Sequence, residues 1–228
     1  MSATAVGAYG EITAERRFRL LLSTGGIVGS ILLVVYFSAP FTIFPFPSSS
    51  ATTSQIVSNA SQYQLEYMLA AWLQGTGTLL IVVFVLGLVY VARAWNRFAG
   101  WITMLASTAV LMLSLIEGTF FIDAAQAVAN GHPDAAVTSF DLTFVFIHTF
   151  FIAPSLLLPL AFVLRTSKLL PGPFWSSAFV LGVAFEIFGL VGLLTSALTI
   201  PSIVLLVAMI LWMISAAVAF QTKSAVVR

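Results

Sequence analysis

Glu66, Gln74, Glu117, Asp123, Asp141, His148 and Glu186 are the side chains in this sequence that call for a chemical explanation, because each lies in or beside a long apolar run. An ionisable group inside hydrocarbon costs at least about 2.5–3.5 kcal/mol on insertion scales, so each needs a partner, a water-filled cavity or a role. Their spacing suggests how they gather. Asp141, His148 and Ser155 recur every seven residues, so on a helix each drifts only about 20° from the last and together they form a narrow polar stripe. Along that stripe His148 lies about 10 Å deeper than Asp141. Thr103, Ser107, Ser114 and Glu117 fall within an arc of about 80° and make a second stripe. Gln62, Glu66 and Gln74 spread more loosely, over about 120°. Glu186 sits near the middle of its apolar run, flanked on neighbouring azimuths by Gly182 and Gly189, which would let another helix approach its carboxyl group.

If these faces converge, they enclose a polar pocket open to the outside, with an acidic rim and a floor holding His148 and Glu186. The competing expectation is that they are interhelical hydrogen-bond glue, worth about 0.6 kcal/mol each where measured. Direct chelation by Asp141 and His148 is excluded by their separation along one helix. A metal site would require Glu117 or Glu186 to meet one of them from another span, so the metal question stays open. Proton relay makes a lighter demand, because carboxylates and a histidine pass protons without fixed coordination.

Several other chemistries lack their residues. There is no Gly-x-Ser-Gly setting for a rhomboid-type serine nucleophile, no His-Glu-x-x-His zinc helix and no Gly-x-x-x-x-Gly-Lys phosphate loop. Two histidines, His132 and His148, are too few for histidine-rich hydrolases or desaturases, and their expected depths do not suit a shared haem. Neither lysine lies within an apolar run, which removes a retinal Schiff base. The absence of cysteine excludes disulfides, thiolate metal sites and thiol catalysis.

The elements that must position these residues follow from composition. Of 228 residues, 60% are hydrophobic and 7% charged, and the mean hydropathy is +1.08. Soluble domains carry about a quarter charged residues, so the chain is a multi-pass membrane protein. A net charge of +1 gives no electrostatic footprint for nucleic acid. A helix needs about 20 apolar residues to cross a bilayer. Six runs qualify, roughly 20–41, 66–92, 98–121, 140–164, 174–196 and 201–220, giving one all-α transmembrane domain over residues 1–228. Pro201 suits the first turn of the last span, which is separated from the fifth by only a few residues.

Arg16, Arg17, Arg19, Arg93, Arg97, Arg165, Lys168, Lys223 and Arg228 all fall before span one, in alternate turns, or after span six. The positive-inside rule then places both termini in the cytoplasm. The first span reads as a retained anchor rather than a cleaved signal peptide, since its apolar run is long and no small-x-small cleavage site follows. Its Gly25-x-x-x-Gly29 and Gly26-x-x-x-Ser30 spacings permit a close helix crossing, or reflect only the tolerance of membrane helices for glycine. Between spans one and two, Pro45, Pro47 and a Ser/Thr-rich stretch predict an extended start, then a short interfacial helix over residues 54–64. Asn59-Ala60-Ser61 fits a glycosylation sequon. In the second outer loop, Asn130-Gly131-His132-Pro133 ends a helical stretch, and Asp134 and Thr138 help start span four.

The pattern resembles a family of uncharacterised six-helix integral membrane proteins of bacteria, particularly actinobacterial ones. The resemblance rests on Tyr67-Met68-Leu69-Ala70-Ala71-Trp72-Leu73-Gln74, on Leu115-Ile116-Glu117, and on Asp141 with Phe146-Ile147-His148. It implies this topology and a bacterial plasma membrane, and it transfers no catalytic residue or cofactor. The leading expectation is a non-enzymatic protein that binds or moves a small solute or proton through a pocket lined by Glu117, Asp141, His148 and Glu186, with Gln74 and Glu66 alongside. The second is an accessory subunit of a larger membrane complex or a homo-oligomer. The third is a lipid-modifying enzyme with a carboxylate–histidine pair as acid and base.

Overall fold

The computed structural model describes residues 3–42, 45–48, 50–152, 155–192 and 199–222, with the side chains of 3–13, 40, 41, 144, 146–152, 192 and 199–203 left aside. Among the described residues the secondary structure is entirely helical. The elements are α1 (Ala3–Thr42), α2 (Thr53–Gln62), α3 (Gln64–Val91), α4 (Phe98–Ala129), α5 (Pro133–Ile152), α6 (Leu157–Ser167), α7 (Gly172–Gly192) and α8 (Thr199–Thr222). Five stretches are long and apolar enough to cross a membrane: Ala14–Ala39, Gln64–Val91, Phe98–Ala129, Gly172–Val191 and Val204–Thr222. These correspond to expected spans one, two, three, five and six.

The expected fourth span, 140–164, is not one helix. It is divided between α5, which ends at Ile152, and α6, which begins at Leu157. The sequence supplies the reason in Pro154. Proline cannot donate the backbone bond a helix interior requires and disfavours helical geometry in the residue before it. The break expected at 197–200 falls partly outside the described residues, and α8 starts at Thr199. Helix α1 extends well before the expected start of its span, with only its later part apolar.

Helix α3 is the most enclosed of the five long helices and α7 the least. Helix α3 packs between α1 and α4, α8 packs on α1, α5 on α4, and α6 on α7 and α4. The short α2 lies across α3, α4 and α5 at one pole. It forms close to where the polar sequence predicted an interfacial helix. A capping box starts it: Thr52 Oγ1 accepts from the Gln55 amide, and the Gln55 side chain accepts from the Thr52 amide at 2.8 Å. At the opposite pole Phe18 meets Tyr90 at 5.8 Å between ring centres, and Arg19 lies 5.2 Å over the Phe220 ring. The start of the α1 span and the ends of α3 and α8 therefore sit together, at the pole that carries Arg16, Arg17, Arg19 and Arg93. Lys223 and Arg228 lie outside the described residues.

Two apolar cores result. The larger, which includes Phe84, Val85, Leu88, Leu160, Leu164, Met213 and Phe220, draws on α3, α6 and α8. The smaller joins Tyr67, Ala71, Phe121, Ala124 and Ala125 near the pole covered by α2. Between α1 and α3 the backbones touch. A Cβ added to Gly29 would lie 2.7 Å from the Gly77 carbonyl oxygen, and one at Gly77 would lie 3.0 Å from the Gly29 carbonyl oxygen. The small residues of span one thus serve a close crossing. Gly25 differs, since a Cβ there meets nothing nearer than 3.9 Å. Gly29→Leu is accordingly expected to destabilise the purified protein by at least about 1–3 kcal/mol through overpacking. Gly25→Ala should be neutral or slightly stabilising. Thermal unfolding in one detergent compares them, and equal losses would move the crossing away from Gly29.

Candidate functional site

The second polar stripe is the one the fold buries. Thr103, Ser107, Ser114 and Glu117 all face inward on α4, with Glu117 8% exposed. Thr103 and Ser107 spend their hydroxyl protons within the helix, on the carbonyls of Ala99 and Thr103 at 2.7 Å each. Ser114 and Glu117 instead turn to α3. Thr78 Oγ1 and Ser114 Oγ stand 2.9 Å apart, and Ser114 donates to the Gln74 carbonyl at 3.3 Å. A hydroxyl has one proton, so in this arrangement Thr78 donates to Ser114.

One turn further along α4, Gln74 Nε2 donates to Glu117 Oε2. Tyr36 of α1 lies beside the same carboxyl group. Three helices therefore converge on Glu117, and its partners are polar but uncharged. The one ion pair among the described residues is Glu15–Arg19, at 2.7 Å, on the far end of α1. Gln74 is buried, yet its Oε1 has no hydrogen-bond donor. An unpaired polar atom in this setting costs about 1–3 kcal/mol.

Toward the α2 pole the site is covered by aromatic rings. Phe121, one turn beyond Glu117, lies 6.4 Å from Tyr36, 5.8 Å from Tyr67 and 5.6 Å from Phe46, measured between ring centres. Phe46 belongs to the segment between α1 and α2 and also meets Phe140 of α5 at 5.1 Å. Asn59 of α2 holds this cover in place. Its Nδ2 donates to the Pro45 carbonyl at 2.8 Å, and its Oδ1 accepts from the Tyr67 hydroxyl at 2.9 Å. The amide nitrogen of the sequon is thus engaged in a structural clasp.

The remaining candidates lie elsewhere. Glu66 is half-buried in the first turn of α3, and Asp123 accepts from the Ser139 hydroxyl at 2.5 Å, tying α4 to α5. Asp141 is on the exposed side of α5, whose buried polar residues among the described side chains are Ser139 and Thr143. The His148 side chain lies outside the described residues, as do those of Phe144, Phe146, Phe150 and Phe151. Because Ser155 lies outside both α5 and α6, the sevenfold spacing does not continue as a single stripe. Glu186 is exposed on α7, and its Oε1 accepts from the Ser155 backbone amide at 2.6 Å. A Cβ on Gly182, one turn earlier, would lie 2.7 Å from the Leu158 nitrogen. Glycine therefore admits the start of α6, and Glu186 satisfies one of the amides a helix start leaves free.

Sequence reasoning identified Glu117, Gln74 and Ser114 but missed Tyr36, Phe46 and Thr78. The missed signal was the spacing of Thr78 one turn after Gln74; nothing in the sequence distinguished Tyr36 from an interfacial tyrosine. Among the described residues no group of three or more His, Asp or Glu side chains could hold a metal ion. No protein-family model matches the chain, and no curated protein or solved structure matches it.

The clasp yields a direct expectation. Asn59→Ala removes both hydrogen bonds and should raise hydrogen exchange across residues 50–62, with a stability loss of about 1–3 kcal/mol. Unchanged exchange there would mean that the aromatic contacts alone hold the cover.

Proposed function

We propose that the chain is a bacterial plasma-membrane protein that binds or moves a proton or small solute at an intramembrane site centred on Glu117. The observation that carries this reading is the convergence of Gln74 and Tyr36 on a carboxyl group enclosed between α1, α3 and α4. A carboxyl group so placed, with no cationic side chain paired to it, suits a mobile positive charge or a polar solute rather than a fixed ion pair. In this reading access is from the α2 pole, where the clasp around Asn59 covers the site. Glu186 belongs to a separate region, around the break between α5 and α6, and the His148 side chain lies outside the described residues.

In this reading α5 and α6 together make the fourth of six crossings. Both termini and the basic turns then face the cytoplasm, as the distribution of Arg16, Arg93, Arg97, Arg165 and Lys168 favours. This proposed topology is the one that the resemblance to six-helix bacterial membrane proteins implies. A second reading, as an accessory subunit, is favoured by one observation: Glu186 lies on an exposed face of α7 beside Ile187 and Leu190. A neighbouring membrane protein would cover that face.

Two measurements test the proposal. Infrared difference spectra between high and low pH should show a carboxylic-acid carbonyl band that disappears in Glu117→Gln and persists in Asp141→Asn. A band unaffected by Glu117→Gln would remove Glu117 from the proton site. Because the chain has no cysteine, single cysteines placed at Ser50, Asn96 and Ser167 report topology cleanly. An impermeant thiol reagent added outside intact cells should label the first and spare the other two, and labelling at Ser167 would reject the sixfold crossing.

A further inference from the structure

The turn between α3 and α4 holds two arginines at positions that local geometry disfavours. Helix α3 ends in a Schellman motif: the Ala94 amide donates to the Val89 carbonyl at 3.0 Å, and the Arg93 amide to the Tyr90 carbonyl at 2.9 Å. Arg93 fills the left-handed position of that motif, with φ at 50°, where glycine is usual. Its charge suits the negative end of α3, but its backbone does not suit a side chain. Four residues on, Arg97 stands at the N-cap of α4 without a side-chain cap bond. That position favours Ser, Thr, Asp or Asn, and a cation there opposes the positive end of the helix. The turn itself is firmly held. Ala94 is buried, its carbonyl accepts from the Arg97 amide at 2.9 Å, and a Cβ on Gly100 would collide with that oxygen. The positive-inside rule asks for charge in this turn but not at these two positions.

The surface around the arginines is apolar. Trp95 is exposed in the turn itself, and Phe98, Trp101 and Leu105 follow at three- and four-residue spacing, so they share one exposed side of α4. Phe98, at the very start of that strip, is 82% exposed. Arg93 and Arg97 are exposed as well, and no ion pair involves either of them among the described residues. The sequence has no Asp or Glu between Glu66 and Glu117, so nothing nearby in the chain balances them. Uncompensated cations at the end of an apolar strip are complementary to an anionic amphiphile.

We propose that the α3–α4 turn is a binding site for an anionic glycerophospholipid. Arg93 and Arg97 hold its phosphate, Trp95 lies at headgroup level, and the acyl chains run along Phe98, Trp101 and Leu105. Guanidinium groups present paired N–H donors that match phosphate oxygens, which an ammonium group does not. Tryptophan favours the headgroup layer, and basic residues at a helix end select anionic lipids. The backbone bonds of the turn fix both anchor points, so only the arginine side chains order on binding. The inference stands apart from the reading of Glu117 and requires only that this end of α3 and α4 meets a membrane surface.

The test uses the full-length protein, freed of lipid in mild detergent and titrated with phosphatidylglycerol or phosphatidylcholine of identical acyl chains. Native mass spectrometry counts bound lipid, and thermal unfolding reports its effect. Phosphatidylglycerol should bind about tenfold more tightly or better, and should raise the unfolding temperature further. Arg93→Gln combined with Arg97→Gln should remove one bound phosphatidylglycerol per chain. Arg93→Lys combined with Arg97→Lys keeps the charge and the orientation in the membrane, yet should lose most of the preference. Arg93→Gly separates a lipid contact from a helix cap. It relieves the left-handed backbone, so the lipid-free protein should unfold at a higher temperature while the gain from phosphatidylglycerol shrinks.

Equal effects of the two lipids, or full retention of phosphatidylglycerol by the double glutamine variant, overturn the site. A preference unchanged in the lysine pair reduces it to diffuse positive charge and overturns it too. Displacement of the lipid by glycerol phosphate assigns the arginines to a soluble phosphate instead, against the proposal. If the glutamine pair does not fold, the lysine pair and Arg93→Gly decide the matter.

Discussion

The close crossing of α1 and α3 at Gly29 and Gly77 is the constraint on which the rest of the bundle depends. In hydrocarbon there is little hydrophobic drive between helices, so association rests on close packing and on interhelical hydrogen bonds. Two facing glycines let carbonyl groups approach to distances that any side chain would prevent. From that contact the structure builds toward the α2 pole in layers. Thr78 and Ser114 join α3 to α4, and Gln74, Glu117 and Tyr36 join all three helices one turn on. Above them lie Tyr67, Phe121 and Phe46, and finally the Asn59 clasp. Tyr36 is two helical turns beyond Gly29, so it reaches Glu117 only because the backbones below it touch.

The interruption between α5 and α6 is a second solution to the same problem. A break within a membrane helix exposes amides that lipid cannot satisfy. Here α7 supplies the remedy from two residues one turn apart: Gly182 lets α6 approach, and Glu186 accepts from the Ser155 amide. That contact accounts for an otherwise expensive carboxyl group without requiring a ligand. It also separates the roles of two glutamates that look alike in sequence. Glu186 meets a backbone group left free by the break, whereas Glu117 meets side chains alone.

How far the sequence can be read follows from what periodicity encodes. Composition and run length identify the helical membrane class and five of the long helices, because the cost of crossing a bilayer acts on each segment separately. Periodicity also places Thr103, Ser107, Ser114 and Glu117 on one inward face, since azimuth is a local property of a helix. It cannot name the partner across the interface. Tyr36 was passed over for that reason, as its role depends on the depth at which α1 crosses α3. The Asp141–His148–Ser155 stripe assumed an unbroken helix, and Pro154 lies between its second and third members. Gly182 beside Glu186 was legible because a missing side chain has the same consequence whichever helix approaches.

The balance of energies argues that Glu117 is not retained for stability. Interhelical hydrogen bonds in membranes average about 0.6 kcal/mol, while inserting an ionisable side chain costs at least about 2.5–3.5 kcal/mol. The hydrogen bond from Gln74 does not offset that cost. An apolar residue of similar size would pack between α3 and α4 more cheaply, and the Thr78–Ser114 pair already fixes the register one turn away. Gln74 repeats the pattern, because its unpaired oxygen adds a further cost that leucine would avoid. Two neighbouring residues that each weaken the resting bundle are the pair on which the proposed intramembrane site rests.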